Sequence, residues 1–127
     1  MGYILDFVDQ RSQQRLPIGI LYEHPEWFKP LFAELDRRGA HYERINAAEH
    51  FFDPDAEHLP YSLLVNRVSP SSYLRGHGRA ILYAQQVLEH AEANGVPVVN
   101  GTRAYGLELS KAKQLMLMHR LGIPHPA

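Results

Sequence analysis

The chain has 127 residues, 45% hydrophobic and 21% charged, which is the make-up of one soluble globular domain rather than of a disordered or fibrous chain. Its 13 basic and 14 acidic residues give a net charge of −1, which supplies no electrostatic drive toward nucleic acid or an anionic membrane. The absence of cysteine excludes disulfides, thiolate metal sites and cysteine nucleophiles, and is compatible with a reducing, cytoplasmic setting.

Residues 1–15 read as a polar lead-in, with Tyr3–Val8 as a candidate edge strand. Asp6 and Asp9 interrupt its apolar residues and no basic segment precedes them, which argues against a signal peptide or a membrane span. Pro17–Tyr22 is a nearly continuous apolar run, the pattern of a strand covered on both faces. A helix follows, with Trp27, Phe28, Leu31, Phe32 and Leu35 on one stripe and Gly39 as its stop. Pro30 falls within its first turn or kinks it slightly. His41–Asn46 is the second strand, and 47–60 a loop with at most one helical turn, in which Phe51 and Phe52 serve as anchors to the core.

Tyr61–Val65 is the third strand, and SPSSY after Asn66 and Arg67 reads as a loop. Ile81, Ala84, Leu88 and Ala91 predict the longest helix, about His77 to Asn94, closed by Gly95. Val96–Val99 is the fourth strand, and Ser110 opens a last helix. Alternating strands and helices predict an α/β fold: three layers, with a mainly parallel sheet of four to five strands and flanking helices.

Ligands of such sheets bind at the carboxyl ends of the strands, so the loops after Tyr22, Asn46, Val65 and Val99 are the ones to inspect. The segment EHPEW after Tyr22 contains no Gly-x-Gly-x-x-Gly, and neither a P-loop nor a GxSxG elbow occurs. Glu23 alone is a poor substitute for the acidic cluster of a receiver domain. His50, Asp53, Asp55, Glu57 and His58 share one loop, where a solvated polar surface is preferred over a metal site because spacing shows no convergence.

Arg67 closes a buried strand, where its charge requires solvent or a partner. Two readings stay open, an ion pair with Glu23 or another acid, or a fork for a carboxylate or phosphate ligand. Ser69, Ser71, Ser72, Tyr73 and Arg75 extend that rim as ordinary connection chemistry, and Arg79 is read as a surface residue. Lys111 stands in a helical first turn, where the dipole prefers anions, so it is either a tolerated surface lysine or a group with an anion to meet.

The run VNRVSPSSY, a helix, and then GVPVVNGTRAYGLELSKAKQLMLMHRLGIPHP resembles the N-terminal lobe and entry helix of ATP-grasp carboxylate-amine ligases, in the branch similar to ribosomal-protein glutamate ligases. The match covers residues 61–126, with Ser110 where many relatives carry Asp. The resemblance implies a Rossmann-like pre-ATP-grasp domain at 16–109, and at 110–127 a helix and lead-in to a separate ATP-grasp domain. That domain would supply the ATP clamp, the Mg²⁺ ligands and the catalytic residues, leaving none in this chain, which by itself should bind ATP weakly.

The complete enzyme would form an acyl phosphate from ATP and a carboxylate, small or on a peptide or protein, and an amine would then attack it. Lys111 would lie near the ATP phosphates. Asn66, Arg67 and Asn100 would belong to the substrate side, with Asn100 orienting the loop after it. Leu115, Met116, Met118 and Leu121 would be exposed where the second domain packs, a face through which this chain alone would self-associate. The competing expectation is a free-standing flavodoxin-like binding or interaction module without catalysis.

Overall fold

The computed structural model describes residues 16–126. In chain order they form β1 (Ile18–Tyr22), α1 (Pro25–Arg37), β2 (Tyr42–Asn46), β3 (Leu63–Asn66), a 3-10 helix (Pro70–Arg75), α2 (Gly78–Ala93), β4 (Val98–Val99), α3 (Thr102–Leu109) and α4 (Lys111–Arg120). The strands make a four-stranded sheet of order β2-β1-β3-β4 in which every pairing is parallel. The expected α/β class and parallel sheet are therefore observed. The candidate edge strand Tyr3–Val8 lies outside the described residues.

The register explains which residues became core. Leu21 pairs with Ile45 on one side and Asn66 on the other, and Gly19 with Leu64, so these residues share one face. That face packs against α2, whose Ala80, Ala84, Val87, Leu88 and Ala91 are buried at helical spacing. A Cβ on Gly19 would lie 2.9 Å from side-chain atoms of both Ile45 and Tyr61, so only glycine lets the layers approach this closely. The opposite face carries Ile20 and Tyr22, and α1 covers it through Phe32, whose ring centroid is 5.1 Å from that of Tyr22.

Helix boundaries follow local chemistry. His24 caps α1 through Nδ1, which accepts from the Trp27 amide, and Pro25 occupies the first turn. Pro30 lies inside α1, beyond the first turn, and removes one amide donor there. Gly39 at φ 63° ends α1 and Gly95 at φ 75° ends α2; the amides of Ala40 and Val96 reach back to the carbonyls of Leu35 and Ala91.

Three local expectations are corrected. The SPSSY stretch is the start of the 3-10 helix, because Ser69 Oγ accepts from the Ser71 amide and Pro70 sets the first φ. Residues 102–109, between the expected fourth strand and the helix opened by Ser110, form a further helix. Glu92, from the last turn of α2, accepts from the Thr102 amide at 2.9 Å and the Thr102 hydroxyl at 2.6 Å, a cap delivered from ten residues upstream. Of the two phenylalanines in the connection 47–62, Phe52 is the anchor, packed on Tyr83 and His90, whereas Phe51 is 89% exposed.

Candidate functional site

From β1 the chain moves to β2 across the α1 face, and from β3 it moves to β4 across the α2 face. The carboxyl ends of β1 and β3 therefore diverge at a topological switch point, where parallel sheets open a crevice. A cavity of about 240 Å³ lies there, lined among others by Glu23, Trp27, Asn66, Arg67, Asn100 and Glu108. The sequence-predicted Asn66, Arg67 and Asn100 meet in it. Lys111 does not line it.

Glu23, one residue beyond β1, is only 2% exposed. Arg75 grips both of its oxygens, Nη2 to Oε2 at 2.6 Å and Nε to Oε1 at 3.1 Å, and His77 Nδ1 lies 2.6 Å from Oε1. Burial pushes the Glu23 carboxyl up, but hydrogen bonds from Arg75 and His77 and their charges outweigh it and hold the carboxyl below its ordinary range. Arg75 also donates to Ser71 Oγ at 3.2 Å and lies 4.5 Å over the Trp27 ring. The 3-10 helix thus places its last arginine, and the residue before α2 its imidazole, onto the end of β1.

Asn66 is 3% exposed and both polar atoms of its side-chain amide have a protein partner. Its Nδ2 donates to the Asn100 carbonyl at 3.2 Å and its Oδ1 accepts from the Val68 amide at 3.1 Å. Asn100 Nδ2 returns a bond to the Asn66 carbonyl at 3.2 Å. Asn100 sits at φ 56°, a conformation asparagine tolerates better than most side chains, and redirects the chain from β4 into α3. The asparagines therefore lock the ends of β3 and β4 together and orient the loop that follows, while their side-chain donors face protein.

Arg67 differs from all of these. Its amide is tied to the Leu21 carbonyl at 2.7 Å, which fixes the backbone at the crevice mouth. Its guanidinium is exposed, 5.6 Å over the Phe28 ring, and among the described residues it pairs with no carboxylate. The ion pair with Glu23 is thus not formed by Arg67; Arg75 and His77 form it instead, between them contacting both carboxylate oxygens. Sequence reasoning missed these two partners. The available signal was Glu23 itself: an acid at the end of a buried strand requires a cation, and Arg75 and His77 flank the glycine turn beside it.

Outside the crevice, Ser110 caps α4 by accepting from the Lys113 amide at 3.2 Å, as its residue type predicts. Lys111 is exposed and reaches only Gln114 Oε1, at 3.3 Å. A triphosphate requires several convergent donors; around Lys111 the described residues assemble no such cradle. Nor do any three His, Asp or Glu side chains among them come together to hold a metal ion. In the acidic loop, His50 Nδ1 is instead 2.5 Å from the Tyr83 hydroxyl and Asp53 accepts from the Asp55 amide. On α4, Leu115, Met116 and Leu121 are exposed as expected, whereas Met118 is half-buried.

No family model matches the chain, and comparison with curated proteins and with solved structures finds no match. No described helix is long and apolar enough to cross a membrane.

Proposed function

We propose that this domain is the substrate-side lobe of an ATP-dependent carboxylate-amine ligase, and that the switch-point crevice holds the carboxylate to be activated. The observation that carries the reading is Arg67. A guanidinium fixed by its backbone at the end of β3, exposed and without a carboxylate partner among the described residues, presents the planar donor fork that suits a carboxylate. Glu23, which lines the same crevice, does not pair with it but with Arg75 and His77. Asn66 and Asn100 act as positioning residues, holding the crevice walls at fixed separation.

Within this scheme the chain's own residues bind and orient the carboxylate. A separate ATP-grasp domain supplies the nucleotide clamp, Mg²⁺ and the catalytic groups, and Lys111 contributes only a peripheral charge to the phosphates. Calorimetric titration with succinate and acetate tests the site. Succinate should bind, Arg67→Ala should weaken it at least about tenfold, the loss of one charged fork, and ATP with Mg²⁺ should give no saturable heat. Unchanged succinate binding in Arg67→Ala would remove the carboxylate role, and a micromolar ATP affinity would contradict the division of labour between domains.

A further inference from the structure

The groove between α3 and α4 closes the element order, the acidic connection 47–62 joins β2 to β3, and each exposes what the other lacks. The groove, about 440 Å³, is lined by the apolar Leu107, Met116 and Leu117 and by the basic Arg103, Lys113 and Arg120. Met116 is 56% exposed, and among the described residues none of the three cations pairs with a carboxylate. A lining that is both apolar and basic fits an apolar knob flanked by acids.

The connection 47–62 carries such a knob. Phe51 is exposed over 89% of its surface, and Glu49, Asp53, Asp55 and Glu57, all exposed, surround it in sequence. The loop is held in place beneath it: Phe52 packs on Tyr83 and His90, His90 Nε2 donates to the Pro54 carbonyl at 3.1 Å, and Asp53 Oδ1 accepts from the Asp55 amide at 2.9 Å. A knob presented by a pre-ordered loop loses little conformational freedom on docking.

We propose that Phe51 of one copy inserts into the α3–α4 groove of a second copy, with the acidic loop facing Arg103, Lys113 and Arg120. Knob and groove are different surfaces of the same chain, so assembly either closes as a two-fold pair in which each knob enters the other copy's groove or proceeds to a ring or an open chain. This association uses neither Arg67 nor the crevice, but it occupies the Met116 face on which the ligase reading packs a second domain, so the two compete for that face.

Sedimentation velocity of the full chain across a concentration series, up to about 1 mM, tests it over the affinity range of small interfaces. The wild type should associate with rising concentration and dissociate with added salt. Phe51→Ala and Met116→Glu, both at exposed positions, should each weaken association at least about tenfold, the effect of losing one buried aromatic contact. Mixing the two variants should restore a complex capped at one copy of each, since the intact Phe51 of one meets the intact groove of the other.

Circular dichroism melts establish that each variant is folded, and Arg103→Glu with Arg120→Glu replaces Met116→Glu if that variant is not. A wild type that stays monomeric throughout, a Phe51→Ala chain that associates like the wild type, or a mixture that forms no mixed complex would each overturn the proposal.

Discussion

Glu23 and Arg75 meet at the end of β1 with 1% and 21% of their side chains exposed, whereas Arg103, Lys113 and Arg120 on the C-terminal helices meet no carboxylate among the described residues. Both regions are rich in cations, but the physics differs. At the sheet end the charge lies where water is excluded, so every partner left out would be expensive, and the fold brings Arg75 and His77 from a separate segment to satisfy it. On α3 and α4 the charges are solvated and cost nothing to leave unpaired. Pairing is obligatory only where burial makes it so, since exposed pairs such as Lys29 with Glu26 also form. An unpaired cation is informative about ligands only where the backbone fixes it beside a crevice, as it does Arg67.

The largest expected effect breaks the buried side of this contrast. Arg75→Ala leaves the Glu23 carboxylate in a dry site with His77 alone, and should cost about 3 kcal/mol, the low end for a broken buried pair because Arg75 keeps some exposure. Urea denaturation should show the midpoint falling by about 1–2 M for a domain of this size. A loss under about 1 kcal/mol would mean the cluster behaves as a surface pair. The same cluster sets an acid limit. Because the folded Glu23 carboxyl is held below its ordinary value of 4.5, its stabilising contribution is complete above that pH and is lost as the pH falls through the lower folded value. Melting temperatures measured from neutral pH downward should decline on that side, and Glu23→Gln should flatten the decline.

A middle-sized effect concerns the joint between the two regions. A Cβ on Gly101 would sit 2.0 Å from Glu92 Oε1, so Gly101→Ala must displace the carboxylate that caps α3. Glu92 is a flexible exposed side chain, so the cost is the cap itself, about 1 kcal/mol. Glu92→Gln keeps an acceptor and should cost less; equal losses in the two variants would show that the negative charge, and not the hydrogen bond, holds α3.

The alternation of strands and helices was legible in the sequence because periodicity reports burial directly: Ala84, Leu88 and Ala91 on α2, or the apolar run of β1, have one stable arrangement. The helix α3 was not legible, since its cap, Glu92, belongs to another helix and Gly101 reads as a loop. The exposure of Phe51 was hidden for a related reason: two adjacent phenylalanines look alike until the fold lets only one reach Tyr83 and His90. In the crevice, Arg67 was legible because position alone marked it, at the end of a strand. Its missing partner was not, because the choice of Glu23 between Arg67 and Arg75 depends on where the 3-10 helix folds back.

The smallest expected effect on stability is the one that separates the two arginines most sharply. Arg67→Ala removes an exposed cation resting over Phe28, an arrangement worth about 0.5 kcal/mol at an exposed site. Its urea midpoint should therefore stay close to the wild type, in contrast to Arg75→Ala. If succinate binding nevertheless falls, the guanidinium is present for a ligand rather than for the fold. Arg67→Lys refines the argument, since it keeps the charge and loses the planar fork: binding retained in full would reduce the site to a point charge, whereas binding lost as in Arg67→Ala would require the bidentate geometry. A destabilisation as large as that of Arg75→Ala would instead place Arg67 among the groups that hold the sheet end together, and the described residues would leave the crevice no exposed fork for a ligand.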